Sequence, residues 1–192
     1  MNQICKTVII GDSGVGKTCI IQRFTKGTFN EEQAATVGAS FVDCEFKLPN
    51  NESYKLRIWD TCGQESFQSI IPMYFRNASC VILVFDVSNF QSFKGIKSWL
   101  SIALSSAPES TPVVVLGAKS DLPSVVPESA INDFVRQRGY LYFPVSSKNN
   151  TGIKEAFDKI STLAFEKQSS LNEEQEVRIG DEVKKQSDKK CC

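Results

Sequence analysis

The chain has 192 residues, and its 22 basic and 22 acidic side chains leave no formal net charge. This length suits one domain of ordinary size with a short extension, and the balanced charge gives no bulk preference for nucleic acid. The sequence contains no histidine, which excludes histidine-based acid–base catalysis and the usual zinc sites.

The seven cysteines are odd in number, and none of them forms a C-x-x-C pair. We therefore expect a reducing compartment and thiols without disulfides. The longest apolar runs, residues 80–85 and 112–116, are far too short to cross a bilayer, and the N-terminus has no signal-peptide core. These features predict a soluble, cytosolic body.

The first predicted strand covers residues 6–10, and helical spacing of apolar residues begins at Cys19. Between them, residues 11–18 read GDSGVGKT and match G-x-x-x-x-G-K-[ST]. Glycines let such a loop direct its N–H groups at phosphate oxygens, and the following helix adds its positive end. Lys17 supplies charge for the outer phosphates, and the Thr18 hydroxyl can ligate Mg²⁺. A chance glycine turn is the alternative, but the flanking strand and helix favour a nucleoside triphosphate site.

The remaining elements alternate in type along the chain. A polar stretch over 25–35 is interpreted as a mobile loop, and two alternating segments around a turn at 49–51 predict an antiparallel hairpin. The hairpin strands cover 41–48 and 54–58, followed by a helix over 66–76, a strand over 80–87, a helix over 90–105, a strand over 112–118, a helix from Pro127, a strand over 141–145 and a helix over 153–164. This order predicts an α/β fold: a doubly wound, mostly parallel six-stranded sheet with one antiparallel strand and helices on both faces.

Composition changes after residue 167. Residues 168–190 are rich in Ser, Gln, Glu and Lys and contain hardly any large apolar side chain, a composition typical of disorder. We therefore expect a folded domain over 1–167 and a disordered tail over 168–192. Four lysines stand shortly before the terminal pair Cys191-Cys192, so the terminus is locally basic.

The GDSGVGKT loop, the sequence WDTCGQE over residues 59–65 and the terminal Cys-Cys together resemble the Rab branch of the Ras-like small GTPases. The resemblance covers roughly residues 6–164, and residues 37–41 and 71–76 are most similar to the early-endosomal group. It implies a P-loop G domain that binds GTP or GDP with Mg²⁺ and hydrolyses GTP slowly. It also implies a membrane-anchored switch that recruits effectors in endocytic vesicle traffic.

The resemblance also assigns residues to the site. Mg²⁺ is placed on Thr18, Thr36 and Asp60, and catalysis on Gln64, which orients water, and Lys17, which neutralises phosphate charge. The GTP-binding residues are Gly11, Ser13, Gly14, Val15, Gly16, Lys17, Thr18, Cys19, Phe29, Thr36, Gly63, Lys119, Asp121, Ser147 and Lys148.

Several of these residues have a plainer interpretation when they are taken alone. Asp60 could be a turn acid, Thr36 a loop threonine, Phe29 an exposed loop aromatic and residues 146–148 a serine-rich loop. No arginine stands in the phosphate loop or the first switch loop. Intrinsic turnover should therefore be slow, with an activating protein supplying an arginine worth ~10³ to 10⁵ in rate.

The motif that reads the base departs from the family pattern N-K-x-D, because Ala118 precedes Lys119, Ser120 and Asp121. Asp121 can still accept hydrogen bonds from guanine, and Lys119 can cover the ring. Alanine cannot make the hydrogen bonds of the family asparagine, so we predict faster nucleotide release. Cys62 replaces the alanine of WDTAGQE, a change of about one atom that we expect the site to tolerate.

Three aromatics, Phe41, Trp59 and Tyr74, match the family's exposed effector surface. Aromatics are more often core residues, but Trp59 alternates out of register with the buried set of its strand. Cys191 and Cys192 imply double geranylgeranylation, which anchors a protein durably. The implied partners are effectors, an exchange factor, a GTPase-activating protein, a prenylation escort, a dissociation inhibitor and the cytoplasmic leaflet of an endosomal membrane. Nucleic acid is not expected as a partner, and the chain is expected to be a monomer.

Two rival functions remain at the level of sequence. One is an atypical, non-hydrolysing or fast-exchanging G domain that acts as a binding scaffold, and the replacement of the family asparagine by Ala118 favours it. The other is a small nucleotide or metabolite kinase, which would need a lid with clustered arginines.

Overall fold

The computed structural model describes residues 3–34, 36, 38–47, 53–62 and 72–188, with side chains described to residue 173. The helices and strands are β1 (Gln3–Ile10), α1 (Lys17–Lys26), β2 (Ala39–Lys47), β3 (Ser53–Thr61), α2 (Pro72–Phe75), β4 (Cys80–Asp86), α3 (Phe90–Ser106), β5 (Val113–Ala118), α4 (Glu128–Arg136), β6 (Leu141–Pro144) and α5 (Ile153–Asp188).

One six-stranded sheet has the order β2-β3-β1-β4-β5-β6. Among the described strands, only the β2–β3 pair is antiparallel, and β1, β3, β4, β5 and β6 run parallel to one another. The predicted doubly wound sheet with one antiparallel strand is therefore confirmed. The predicted turn at 49–51 lies outside the described residues.

Apolar residues cover both faces of the sheet. In β1, Cys5 and Ile9 pack on one face with α1 and α5, whereas Val8 and Ile10 pack on the other with α3 and α4. β4 is buried throughout, as its continuous apolar run predicts. Full burial of each large aliphatic or aromatic side chain contributes about 1.5 to 3 kcal/mol, so the two layers stabilise the packing of the helices on the sheet.

The carboxyl ends of the parallel strands meet at one edge of the sheet. Gly11 follows β1, Asp60 stands near the end of β3, Asp86 ends β4 and Ala118 ends β5. This edge is where open α/β sheets bind their ligands. The fold thus brings the sequence motifs together at one place.

The C-terminal segment differs from the sequence prediction. We expected disorder from residue 168, but α5 continues to Asp188. The Ser79 hydroxyl donates to Gln168 (2.7 Å), and Gln3 donates to Ser169 (3.4 Å), so the helix stays docked beyond residue 167. Glu, Gln, Lys and Leu favour helix, and a helix already nucleated by packing extends without a new nucleation cost.

Two further predictions fall partly outside the described residues. The helix expected over 66–76 is described only as α2, because residues 63–71 are not described. The expected loop over 25–35 begins after α1 ends at Lys26, and residues 28–34 contain no helix or strand. Among the described residues, no helix is both long and apolar enough to span a bilayer.

Candidate nucleotide and magnesium site

A cavity of about 440 Å³ opens at the carboxyl edge of the sheet. It is lined by segments from the GDSGVGKT loop, the loop before β2 and the two loops that follow β5 and β6. The predicted site residues along its wall are Ser13, Gly14, Val15, Gly16, Lys17, Thr18, Cys19, Phe29, Thr36, Lys119, Asp121, Ser147 and Lys148. Gly63 and Gln64 lie outside the described residues.

Two glycines give the phosphate loop its shape. Gly11 has φ +146°, and a Cβ there would overlap the carbonyl group of Val84. Gly16 directly precedes α1 and has φ +101°, which lies in the left-handed region. Residues with a side chain disfavour this region. The loop therefore turns tightly enough for the positive N-terminus of α1 to face the cavity.

Lys17 is buried at the floor of this loop, with 6% of its surface exposed. Its Nζ donates to the carbonyl oxygens of Gly11 and Asp12, each at 2.7 Å. Burial lowers the pKa of Lys17 to about 8, although the negative charges of Asp60 and Asp12 oppose the shift. A buried cation of this kind is stabilised when an anion such as phosphate enters the loop.

Oxygen atoms cluster beside Lys17. The Thr18 hydroxyl donates to Asp60 Oδ2 at 2.7 Å, and it lies 2.7 Å from the Thr36 hydroxyl. Asp60 Oδ1 is buried and has no hydrogen-bond partner among the described residues. Burial raises the pKa of Asp60, against the opposing effects of the Thr18 hydrogen bond and the Lys17 charge.

This cluster fits magnesium. Mg²⁺ prefers oxygen ligands, retains several waters and is held by one or two carboxylates together with phosphates. The unpaired Asp60 oxygen and the hydroxyls of Thr18 and Thr36 supply such donors. All three predicted metal residues are thus brought together, and their assignment as ligands remains a proposal.

The loop that would contact the base is organised by Asp121. Its Oδ1 accepts a hydrogen bond of 2.5 Å from the Ser146 hydroxyl. Lys119 has φ +58°, and its Nζ pairs with Asp86 Oδ2 at 2.7 Å. Burial by itself would raise the pKa of Asp86, but the hydrogen bonds from Lys119 and Ser88 outweigh it and lower the pKa.

Sequence reasoning missed Asp86, which is the ion-pair partner of Lys119. The sequence does show one carboxylate at the end of the otherwise apolar strand β4. Its position beside Lys119 follows only from the order of the strands, in which β4 is the neighbour of β5. Sequence reasoning also missed a link between Asp12 and α3. Trp99 Nε1 donates to Asp12 Oδ1 at 2.7 Å, and a Cβ at Gly95 would stand 2.8 Å from Asp12 Oδ2.

Ala118 keeps the backbone contact at the end of β5 but offers only a methyl group. It is 2% exposed, and its carbonyl accepts a hydrogen bond of 3.0 Å from the Val87 N–H. It is one of the residues that line the cavity, and its side chain has no polar atom. The predicted weakening of nucleotide retention therefore stays a prediction, now with a defined location.

The three aromatics predicted at the effector surface lie in contact with one another. The ring centroids of Phe41 and Trp59 are 5.2 Å apart, and those of Trp59 and Tyr74 are 5.4 Å apart. Phe41 is 52% exposed, whereas Trp59 and Tyr74 are half-buried against the apolar layer, so only one of the three has the predicted full exposure. Trp59 packs against the opposite apolar layer from its strand neighbour Ile58, as the alternation in β3 predicts.

A doubly wound sheet with a GDSGVGKT loop, an adjacent oxygen cluster and a guanine-type Lys-x-Asp loop at its carboxyl edge defines the class of P-loop GTP-binding proteins. The chain matches the Ras family over residues 6–166, and it belongs to that family.

Its relatives carry Rab and Ypt names. The chain is similar to the Ypt/Rab-type GTPase YPT7 of Saccharomyces cerevisiae, with 35% identity over 188 residues that cover 94% of this chain and 90% of the relative. Identity is 34% with Ras-related protein Rab-5B of Plasmodium falciparum, covering 83% of this chain and 77% of the relative. It is 38% with Ras-related protein Rab-7a of Paramecium octaurelia, covering 84% and 82%. The chain is a Rab-type small GTPase, an enzyme that hydrolyses GTP to GDP.

Proposed function

We propose that this GTPase is a membrane-anchored switch that recruits effector proteins in vesicle traffic of the endocytic pathway. The observation that carries the proposal is the contact of Thr36 with Thr18, at 2.7 Å between their hydroxyl oxygens. This contact holds Thr36 beside Thr18, one of the side chains that would bind magnesium next to the phosphate loop. Loss of the γ-phosphate removes the ligands that hold such a loop, so the loop reports the nucleotide state.

The loop that carries Thr36 leads directly into β2, where Phe41 begins the aromatic surface. Asp60 and Trp59 are neighbours on β3 and point to opposite faces of the sheet. Asp60 therefore shares β3 with Trp59, and Thr36 stands shortly before the strand that carries Phe41. Release of Thr36 would change the presentation of Phe41, Trp59 and Tyr74 to an effector.

The proposed chemistry needs no covalent intermediate. Bound Mg²⁺ would add positive charge at the phosphate oxygens, held by Thr18, Thr36 and Asp60. Lys17 neutralises charge that spreads over the γ-phosphoryl oxygens, and positioning supplies most of the acceleration. Gln64 would orient the attacking water and Gly63 would meet the γ-phosphate; both roles rest on the WDTCGQE match, since these residues lie outside the described ones.

Membrane attachment is proposed through Cys191 and Cys192, which also lie outside the described residues. Two lipid chains give durable binding, and the lysines before them attract an anionic leaflet. An escort and a dissociation inhibitor would handle the lipidated chain, whereas an exchange factor and an activating protein would set its nucleotide. The endosomal assignment is supported by residues 37–41 and 71–76 and by relatives named Rab-5B and Rab-7a.

The double variant Cys191→Ser/Cys192→Ser tests the anchor. In fractionated cells, the unchanged chain should sediment with membranes and overlap an internalised endocytic tracer, whereas the double variant should move to the soluble fraction. Cys44→Ser, which removes a half-buried thiol from β2, is the matched control and should keep the normal distribution. A double variant that stays fully membrane-bound would refute the anchor, and a membrane-bound chain that never overlaps the tracer would refute the endosomal assignment.

Ala118 favours a second candidate, a fast-exchanging G domain that acts mainly as a binding scaffold. Its side chain cannot supply the hydrogen bonds that the family asparagine makes. Single-turnover hydrolysis of bound GTP separates the two, because a scaffold would release the nucleotide before hydrolysing it.

A further inference from the structure

Arg23, near the end of α1, donates hydrogen bonds to three backbone carbonyls. Its Nε lies 2.6 Å from the Ser147 oxygen, and its Nη2 lies 3.3 Å from the Lys148 oxygen. Its Nη1 lies 2.6 Å from the Gly27 oxygen, in the residue that caps α1. The side chain therefore ties the end of α1 to a loop that is 124 residues away in sequence.

The same guanidinium contacts a third segment. Its central carbon lies 5.9 Å from the centroid of the Phe29 ring, in the loop that follows α1. Phe29, Ser147 and Lys148 all line the nucleotide cavity. Lys148 also pairs with Glu31 at 3.3 Å, although this pair is exposed and adds little. The aromatic and the loop that would contact the base are thus both held by Arg23.

We propose that Arg23 is a positioning residue for the guanine base, which holds Phe29 and the loop at Ser147 in place and thereby slows nucleotide release. The proposal rests on nucleotide binding at this cavity. α1 begins at Lys17, so Arg23 connects the base side of the cavity to the phosphate loop through one rigid helix. Ala118, which also lines the cavity, has no polar side-chain atom that could join these parts.

The chemistry of arginine suits this role. A guanidinium presents five N–H groups in a planar fork and can stack on an aromatic ring while it donates. Capping α1 would need only the contact with Gly27. The two contacts with Ser147 and Lys148 and the position over Phe29 go beyond helix capping, and they place the side chain between the two walls that would enclose a base.

The test compares GDP with ribose 5′-diphosphate, which has the phosphates but no base. The variant Arg23→Gln should release GDP about tenfold to a hundredfold faster than the unchanged chain, since it loses two or more hydrogen bonds. Its affinity for ribose 5′-diphosphate should be unchanged. Arg23→Lys, which keeps the charge but loses the fork, should release GDP at an intermediate rate.

Lys26→Gln is the matched control, because it removes the same charge from an exposed position of the same helix. It should release GDP at the normal rate. The inference is overturned if Arg23→Gln and Lys26→Gln release GDP equally fast. It is also overturned if Arg23→Gln loses affinity for GDP and ribose 5′-diphosphate to the same extent, because that result indicates a general structural role. GDP binding by the unchanged chain, measured first, tests the GTPase assignment separately.

Discussion

Lys17 lines the cavity, Asp60 accepts a hydrogen bond from Thr18 beside it, and each of the two oppositely charged residues keeps 6% of its surface exposed. Burial lowers the pKa of Lys17 to about 8 and raises that of Asp60, so in both cases desolvation exceeds the effect of the partner charge. Such charges weaken a fold until a ligand of opposite sign arrives. The side chains that we propose to bind phosphate and metal would thus also be those through which nucleotide binding stabilises the protein.

Ala118→Asn should slow the release of GDP by about tenfold to a hundredfold, because it restores one or two hydrogen bonds worth of order 1 to 3 kcal/mol. The measurement is the dissociation rate of GDP under excess unlabelled nucleotide. Ser120→Asn introduces the same amide at an exposed position two residues later and should leave the rate unchanged. An unchanged rate in Ala118→Asn would refute the idea that Ala118 weakens retention.

Gln64→Leu should lower the single-turnover rate of GTP hydrolysis by about tenfold or more while leaving GTP affinity within about twofold, since the amide acts on the attacking water. Rapid mixing with preloaded GTP gives the rate. Gln68→Leu removes an amide four residues later and serves as the control. Equal hydrolysis in both variants would show that Gln64 has no catalytic role.

At the scale of elements, α5 packs against α1, the helix that follows the phosphate loop, and continues towards the C-terminus. Its Phe157 is fully buried and stacks on Phe24 of α1, with ring centroids 4.0 Å apart and planes 7° apart. The apolar spacing of the sequence predicted this face correctly. The end of α5 was predicted too early. The composition after residue 167 shows that the segment has few apolar residues to bury, but it does not show that single polar side chains such as Gln168 contact the domain.

Two truncations test where the docked part of α5 ends. A chain that stops after Leu171 keeps the hydrogen bond between the buried Ser79 hydroxyl and Gln168, and its free energy of unfolding should be unchanged. A chain that stops after Lys167 loses this bond and should be less stable by about 1 to 2 kcal/mol. Denaturant unfolding with saturating GDP measures both. Equal stability of the two truncations would contradict docking beyond residue 167.

At the scale of the whole molecule, the antiparallel pair β2–β3 connects the edge of the cavity to the aromatic cluster of Phe41, Trp59 and Tyr74. Cys62 follows β3, and its N–H donates to the Gly38 carbonyl at 3.0 Å, which joins the ends of the two strands next to the cavity. Phe41 pairs with Trp59 across the same two strands. A change at the phosphate edge therefore has a short structural path to this aromatic cluster, in which Phe41 is exposed and Trp59 and Tyr74 are half-buried.

Much of the fold was predictable because strand and helix periods are local properties of the chain. The period-two alternation in β2 and β3, the apolar run in β4 and the helical spacing in α3 each predicted the observed element. The phosphate loop was predictable for the same reason, since its residues are consecutive. Contacts such as Trp99 with Asp12 or Lys119 with Asp86 carry no local signal, because their partners come from different elements.

The sequence by itself determined the class of the protein, because a contiguous phosphate loop between a strand and a helix can be recognised without knowing how distant parts of the chain pack. Only the tertiary structure decided which side chains support that loop and the loops around the base. In the sequence, Arg23 cannot be distinguished from any other basic residue on a helix. In the folded protein its Nε lies 2.6 Å from the Ser147 carbonyl oxygen. A hydrogen bond joins atoms that are about 3 Å apart, but Arg23 and Ser147 are more than a hundred positions apart in the sequence. Their contact therefore depends on the order of the strands in the sheet, which the sequence pattern does not reveal.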